Sequence, residues 1–153
     1  MAVAYVFPGQ GSQTVGMGKA LAENFPAARA VFAEVDEALG EKLSDIIFGG
    51  PAETLMLTEN TQPALMAVSL ATLRVLESEA GLDLAREAAF VAGHSLGEYS
   101  ALAAAGALTI ADTARLVRIR GRAMQKAVPV GAGAITSVLI AAAIGLMLSG
   151  GAA

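Results

Sequence analysis

"VAGHSLGEYS", residues 91–100, decides how the fold is read: a single serine, Ser95, stands between Gly93 and Gly97, after an apolar run and before residues that favour a helix. Upstream, Ala88 to Ala92 reads as a short buried strand. A Gly-x-Ser-x-Gly sequence between strand and helix sits where a nucleophile elbow requires it. The glycines relieve the crowding of a tight turn, and the turn lifts the serine hydroxyl above the sheet edge. The amide of Leu96, at the helix start, could then point at an oxyanion. The same small residues also suit a helix that merely packs closely on a strand, so the pentapeptide by itself leaves both readings open. His94, the only histidine of the chain, is a poor base for its neighbour, because adjacent residues in so tight a turn project in different directions. It is expected to support the turn.

Outward from the elbow, strands and helices alternate. Ala2 to Phe7 suggests a buried strand that stops at "PGQGSQ", where Pro8 and Gly9 force a turn. Gly18 to Leu39, interrupted by Pro26, fits two consecutive helices with Leu21, Phe25, Ala28, Val31, Phe32 and Val35 on the apolar face. Leu43 to Phe48 is ambiguous. In "TENTQPALMAVSLATLRVLESEAG" Thr61 can cap a helix, Pro63 suits its first turn, and Gly81 stands just past its end. Leu65, Met66, Val68, Leu73 and Leu76 are expected to face the core. This alternation predicts an α/β layer fold with a parallel sheet flanked by helices.

The last charged helix, "TIADTARLVRIRGRAMQKAV", carries Thr109 and Asp112 in the arrangement of a capping box and should start near Ile110. At the helical period Leu116, Val117, Ala123, Met124 and Ala127 form one apolar arc, with Arg115, Arg118, Arg122 and Lys126 opposite and Arg120 inside the apolar arc. A guanidinium on a buried side needs an anionic partner, since an unpaired charge removed from water is very costly. That partner is an internal Asp or Glu, or the carboxylate of a substrate.

Bulk properties exclude several classes. The 153 residues and 55% hydrophobic content suit one folded unit rather than a disordered tail. Ten Lys and Arg against 14 Asp and Glu give a net charge of -4, and no basic stripe is present to track phosphates, so nucleic acid is not an expected partner. Without cysteine there is no disulfide framework or thiolate metal site, which is compatible with a reducing cytoplasm. The N-terminus lacks the basic segment of a secretion signal.

Four segments taken together, "YVFPGQGSQTVGMG", "LTENTQPALMAVS", "GHSLGEYSALAAAGAL" and "VRIRGRAMQKAVPVG", closely resemble the malonyl-CoA:acyl carrier protein transacylases of fatty acid synthesis, and more distantly the acyltransferase domains of polyketide synthases. The resemblance implies a large α/β subdomain. It also implies a ping-pong transfer of malonyl from coenzyme A to acyl carrier protein through a serine ester, with malonyl-CoA as substrate and no permanently bound cofactor or metal. By the matching motifs Ser95 is the nucleophile, Gln10 and Leu96 donate backbone amides to the oxyanion, Gln62 lines the pocket, and Arg120 holds the malonyl carboxylate. Gly93, His94 and Gly97 support the turn.

The departures carry expectations as well. Family members are longer; the histidine that activates the serine and the ferredoxin-like small subdomain belong to the half not present here. Little activity is therefore expected of this chain alone, with a non-catalytic scaffold or a membrane-associated serine-hydrolase-like protein as alternatives and a general esterase as a weaker one. The organisation expected is a partial acyltransferase domain at 1–127 and an uncharged apolar tail at 128–153. The tail either covers the core or, less favoured, forms a membrane helix.

Overall fold

The computed structural model describes residues 2–127, so the tail and both expectations about it lie outside the described residues. In chain order the elements are β1 (Val3–Phe7), α1 (Lys19–Asn24), α2 (Pro26–Leu39), α3 (Leu43–Gly49), α4 (Ala52–Leu55), α5 (Thr58–Ala80), α6 (Leu84–Glu87), β2 (Ala88–Gly93), α7 (Leu96–Ala104) and α8 (Ile110–Ala127). Both strands are built from β-branched, aromatic and small residues that tolerate the extended backbone, and each stops where a turn begins.

β1 and β2 pair in parallel, with Tyr5 opposite Val91 and Phe7 opposite Gly93. Parallel neighbours need a crossover, and the intervening helices supply it. One sheet face, carrying Phe7 and Val91, is buried against the helical layer. The other face carries Val6 and Phe90, which are 71% and 50% exposed among the described residues. The predicted α/β architecture is thus present, with the sheet reduced to two strands among the described residues.

α5 is the central helix. Leu65, Met66, Leu70 and Leu73 are buried along it, and each such side chain contributes about 1.5–3 kcal/mol by leaving water. Its start differs from the expectation. The helix begins at Thr58, so Thr61 and Pro63 lie inside it rather than at its cap and first turn. Thr61 Oγ1 instead donates to the Leu55 carbonyl at 2.6 Å, tying the preceding turn to the helix. Leu76 is exposed, and Val75 takes the inward position. Gly81 ends the helix in the left-handed conformation, as expected. Against α5 pack α2, through Ala28, Val31, Phe32 and Val35, and α3, which resolves the ambiguous Leu43–Phe48 stretch as helix.

α8 begins at Ile110, where the Asp112 amide donates to Thr109 Oγ1 at 3.0 Å and the Thr109 hydroxyl donates back to Asp112 Oδ2 at 2.8 Å. Its rotation differs from the sequence reading. The buried face is Ile110, Thr113, Ala114, Val117, Arg118 and Gly121, whereas Leu116, Ala123 and Ala127 face outward. The reason is proximity. A Cβ built on Gly121 would come within 2.7 Å of Glu59 Cα and 2.8 Å of the Thr58 carbonyl oxygen, so α8 crosses α5 backbone to backbone. Only a residue without a Cβ permits so close an approach at this point. No helix of the described residues is long and apolar enough to cross a membrane.

Candidate active site

Ser95 connects β2 to α7 with φ 57° and ψ −113° and is the one non-glycine residue at positive φ among those described. Such a backbone costs on the order of 1–3 kcal/mol and persists only where the surroundings over-determine it. Here they do. A Cβ on Gly93 would lie 1.9 Å from the Gly97 carbonyl carbon, and one on Gly97 would lie 2.3 Å from the Phe7 carbonyl oxygen. The two glycines of the motif therefore let three backbones stack: β2 on α7, and α7 on the end of β1. The His94 amide donates to the Phe7 carbonyl at 3.2 Å, and the Gly97 amide donates to the His94 carbonyl at 2.9 Å, closing the turn.

His94, expected to support the turn, has its side chain beside the loop after β1. Its imidazole makes no hydrogen bond to Ser95 Oγ; it lies against Gly9, whose hypothetical Cβ would fall 2.4 Å from His94 Nδ1. That contact presses the "PGQGSQ" loop directly against the elbow. Within the loop, Gln10 is exposed, and its side chain reaches Thr58 Oγ1 at 3.4 Å. The Gln10 amide donates no hydrogen bond to another described residue. Nor does the amide of Leu96, the first residue of α7, which as a helix N-terminal donor has no intrahelical acceptor.

The Ser95 side chain does not cap α7. Its Oγ accepts a hydrogen bond from Arg120 Nη2 at 2.9 Å, while Arg120 Nη1 donates to Gln62 Oε1 at 2.8 Å. Gln62 is fully buried, and its amide nitrogen is directed at Met124 Sδ, 3.2 Å away, so its oxygen is left facing Arg120. The Tyr99 ring lies 5.9 Å from the Arg120 guanidinium carbon, within reach of a cation–π attraction. Three of the expected site residues, Ser95, Gln62 and Arg120, therefore meet at one point.

Arg120 differs from its neighbours on α8. Arg115 pairs with Asp112, Arg118 with Glu41, and Arg122 with Glu59. Among the described residues Arg120 alone of the four arginines on this helix has no carboxylate partner, and it donates only to neutral oxygens. The internal salt bridge that the sequence left open for Arg120 belongs to Arg118, which the sequence placed on the solvent side. Arg118 is 5% exposed and donates to both Asn60 Oδ1 and Glu41 Oε1. Burial, with repulsion from Arg122, pushes its pKa down to about 10, so it remains a cation at neutral pH. Sequence reasoning missed both Arg118 and Tyr99. The signal for Tyr99 was its place in the first turn of the helix that follows Ser95, four residues on. No group of three or more metal-ligating side chains occurs among the described residues.

Strand, strained serine and helix N-terminus define the class first: an α/β protein with a serine raised on a nucleophile elbow and a cation within hydrogen-bond reach of it. The chain belongs to the acyl transferase domain family, whose sequence model matches residues 4–147. It is 53% identical over 137 residues to the malonyl CoA-acyl carrier protein transacylase of Bacillus subtilis (strain 168), covering 90% of this chain and 42% of that protein. The Escherichia coli (strain K12) enzyme of the same name is 49% identical over 136 residues, covering 89% and 43%. Among solved structures, the acyl-carrier-protein-S-malonyltransferase of Bartonella henselae superposes with a TM-score of 0.81 at 66% identity, over 84% of this chain and 40% of that one. A malonyl-transacylase solved in complex with a type II polyketide synthase acyl-carrier protein gives 0.77 at 46% identity, again over 84% and 40%. The chain thus spans about 42% of the length of the curated relative first compared, and its fold is part of an acyltransferase large subdomain.

Proposed function

We propose that this chain forms the nucleophile and acyl-recognition half of a malonyl-CoA:acyl carrier protein transacylase, with coenzyme A thioesters and acyl carrier protein as its partners. One observation carries the reading. A guanidinium without a carboxylate partner among the described residues lies 2.9 Å from the hydroxyl of a strained elbow serine. A malonyl group bound as a thioester presents a carbonyl carbon and a free carboxylate. Ser95 takes the first and Arg120, steadied by Gln62, takes the second through its fork of N–H groups. Neutral acyl groups leave the fork unpaired, and this selects malonyl over acetyl.

In the transfer, Ser95 Oγ attacks the thioester carbonyl carbon and its proton passes to a general base. The developing oxyanion is met by the Gln10 and Leu96 amides. The C–S bond then breaks, coenzyme A leaves as the thiol, and the malonyl ester remains on Ser95. Attack by the phosphopantetheine thiol of acyl carrier protein reverses these steps on the second partner. The arginine hydrogen bond occupies a lone pair of Oγ and leaves the hydroxyl proton for the base. No base sits beside Ser95 among the described residues, and His94 points at Gly9. The 153-residue chain should therefore bind malonyl-CoA but turn it over negligibly, since removing the base from such a unit removes most of the rate.

Mass spectrometry after exposure to malonyl-CoA tests this together with calorimetric binding. The expected result is saturable binding with only trace malonyl ester on the Ser95 peptide and none in Ser95→Ala. Arg120→Ala should weaken malonyl-CoA binding by about tenfold or more and leave acetyl-CoA binding nearly unchanged. Stoichiometric ester within seconds would refute the missing-base account. Equal affinities for malonyl-CoA and acetyl-CoA would refute the role of Arg120.

A further inference from the structure

The helix that delivers Arg120 carries a second arginine, the buried Arg118, which hydrogen-bonds to neither Ser95 nor Gln62. Several side-chain ties join α8 to α5: Arg118 to Asn60 and Arg120 to Gln62, which span the same sequence separation, and, nearer the start of α5, Arg122 and Gln125 to Glu59. Beyond the Arg118 and Arg120 pairs the helix backbones touch at Gly121, against Thr58 and Glu59. Residues two apart on a helix project about 200° apart around its axis. Arg118 therefore looks into the protein while Arg120 looks toward the elbow. The Arg118 fork binds Asn60 on α5 and also Glu41, in the turn between α2 and α3, so it ties α8 to two other parts of the helical layer. A guanidinium about 6 Å from the helix axis moves on the order of 1 Å when the helix turns by about 10°, enough to break a hydrogen bond to Ser95.

We infer that Arg118 is a positioning residue for acyl selection: its ties to Glu41 and Asn60 fix the rotation of α8 and so hold Arg120 against Gln62 and Ser95. The inference rests on the reading of Arg120 as the carboxylate holder. It separates two tasks for cations on one helix. Arg118 spends its donors inside the protein, and Arg120 keeps its donors for the substrate. A merely structural Arg118 would change stability alone; a positioning one changes the ratio of malonyl to acetyl affinity.

Calorimetry on the full 153-residue chain with malonyl-CoA and acetyl-CoA measures that ratio, with melting curves run on every variant. Arg120→Ala serves as the reference for a site without its cation. Arg118→Met should lower the malonyl preference about tenfold with acetyl-CoA affinity unmoved, since a 1 Å misplacement costs that much or more. Arg118→Lys, which keeps the charge but cannot fork to both partners, should recover part of the loss. Glu41→Ala, at a half-exposed position that leaves the core intact, should lower the preference about threefold. If Arg120→Ala abolishes the preference while folded Arg118→Met keeps it, the positioning role is overturned and the proposed function stands. Should Arg118→Met fail to fold, an unchanged ratio in Glu41→Ala overturns the role instead. If Arg120→Ala itself keeps the preference, the proposed function fails and this inference fails with it.

Discussion

The elbow and the α5–α8 crossing meet at one hydrogen bond, from Arg120 to Ser95, yet they are held in opposite ways. At the elbow the backbone does the holding: Gly93, Gly97 and Gly9 remove every Cβ that would keep β2, α7 and the loop after β1 apart. At the crossing, beyond the single close approach at Gly121, the work falls to side chains, through Arg118, Arg120 and Arg122 and their partners on α5 and in the α2–α3 turn. Backbone stacking fixes where Ser95 stands and leaves no room for a Cβ at Gly93 or Gly97. Side-chain ties fix where the cation stands and admit graded change. The difference teaches that the placement of Ser95 and the placement of Arg120 can be altered separately in this fold.

The largest effect should come from breaking the elbow. Gly93→Ala puts a methyl group inside 2 Å of the Gly97 backbone, and the cost should be about 3 kcal/mol or more, read as a collapse of the thermal or urea midpoint. Next comes the crossing. Gly121→Ala meets the Glu59 and Thr58 backbone at 2.7 and 2.8 Å, a milder clash than the 1.9 Å at Gly93, so a loss of about 2 kcal/mol is expected in the same measurement. A loss equal to that of Gly93→Ala would show that the crossing is as rigid as the elbow and would erase the contrast. The smallest effect has the opposite sign. Ser95→Gly removes the hydroxyl but relieves the positive-φ backbone, and should stabilise the chain by about 1 kcal/mol while abolishing any ester. Destabilisation there would mean that the arginine hydrogen bond outweighs the strain.

How much was legible in the sequence follows the same division. The elbow, the parallel strands around it and the capped start of α8 were readable because each is written in a few adjacent residues whose backbone demands are unusual: Gly93 and Gly97 around Ser95, Pro8 and Gly9 after β1, and Thr109 before Asp112. The rotation of α8 was not. Apolar residues lie on more than one side of it, and Leu116, Ala123 and Ala127 marked the wrong face. The choice was made by Gly121 against α5, a contact between residues 62 positions apart that no local pattern records. Arg118 was misread for the same reason, since a charged residue one step round the helix from the assumed arc looks solvated until its partners Glu41 and Asn60 are known. Thr61 carried a true capping signal that tertiary structure reassigned, because the turn ending at Leu55 leads straight into α5 and uses the hydroxyl itself.

The torsion angles of Ser95 have a stereochemical corollary. Reversing the sign of both angles, 57° and −113°, gives a conformation at the edge of the broad extended region open to ordinary residues. A D-serine introduced there by chemical synthesis would thus sit without strain, but with its hydroxymethyl group swung to the other side of the turn and away from Arg120. The handedness of a single α-carbon decides whether the oxygen meets the cation, and the unfavourable torsion is the mark of that choice.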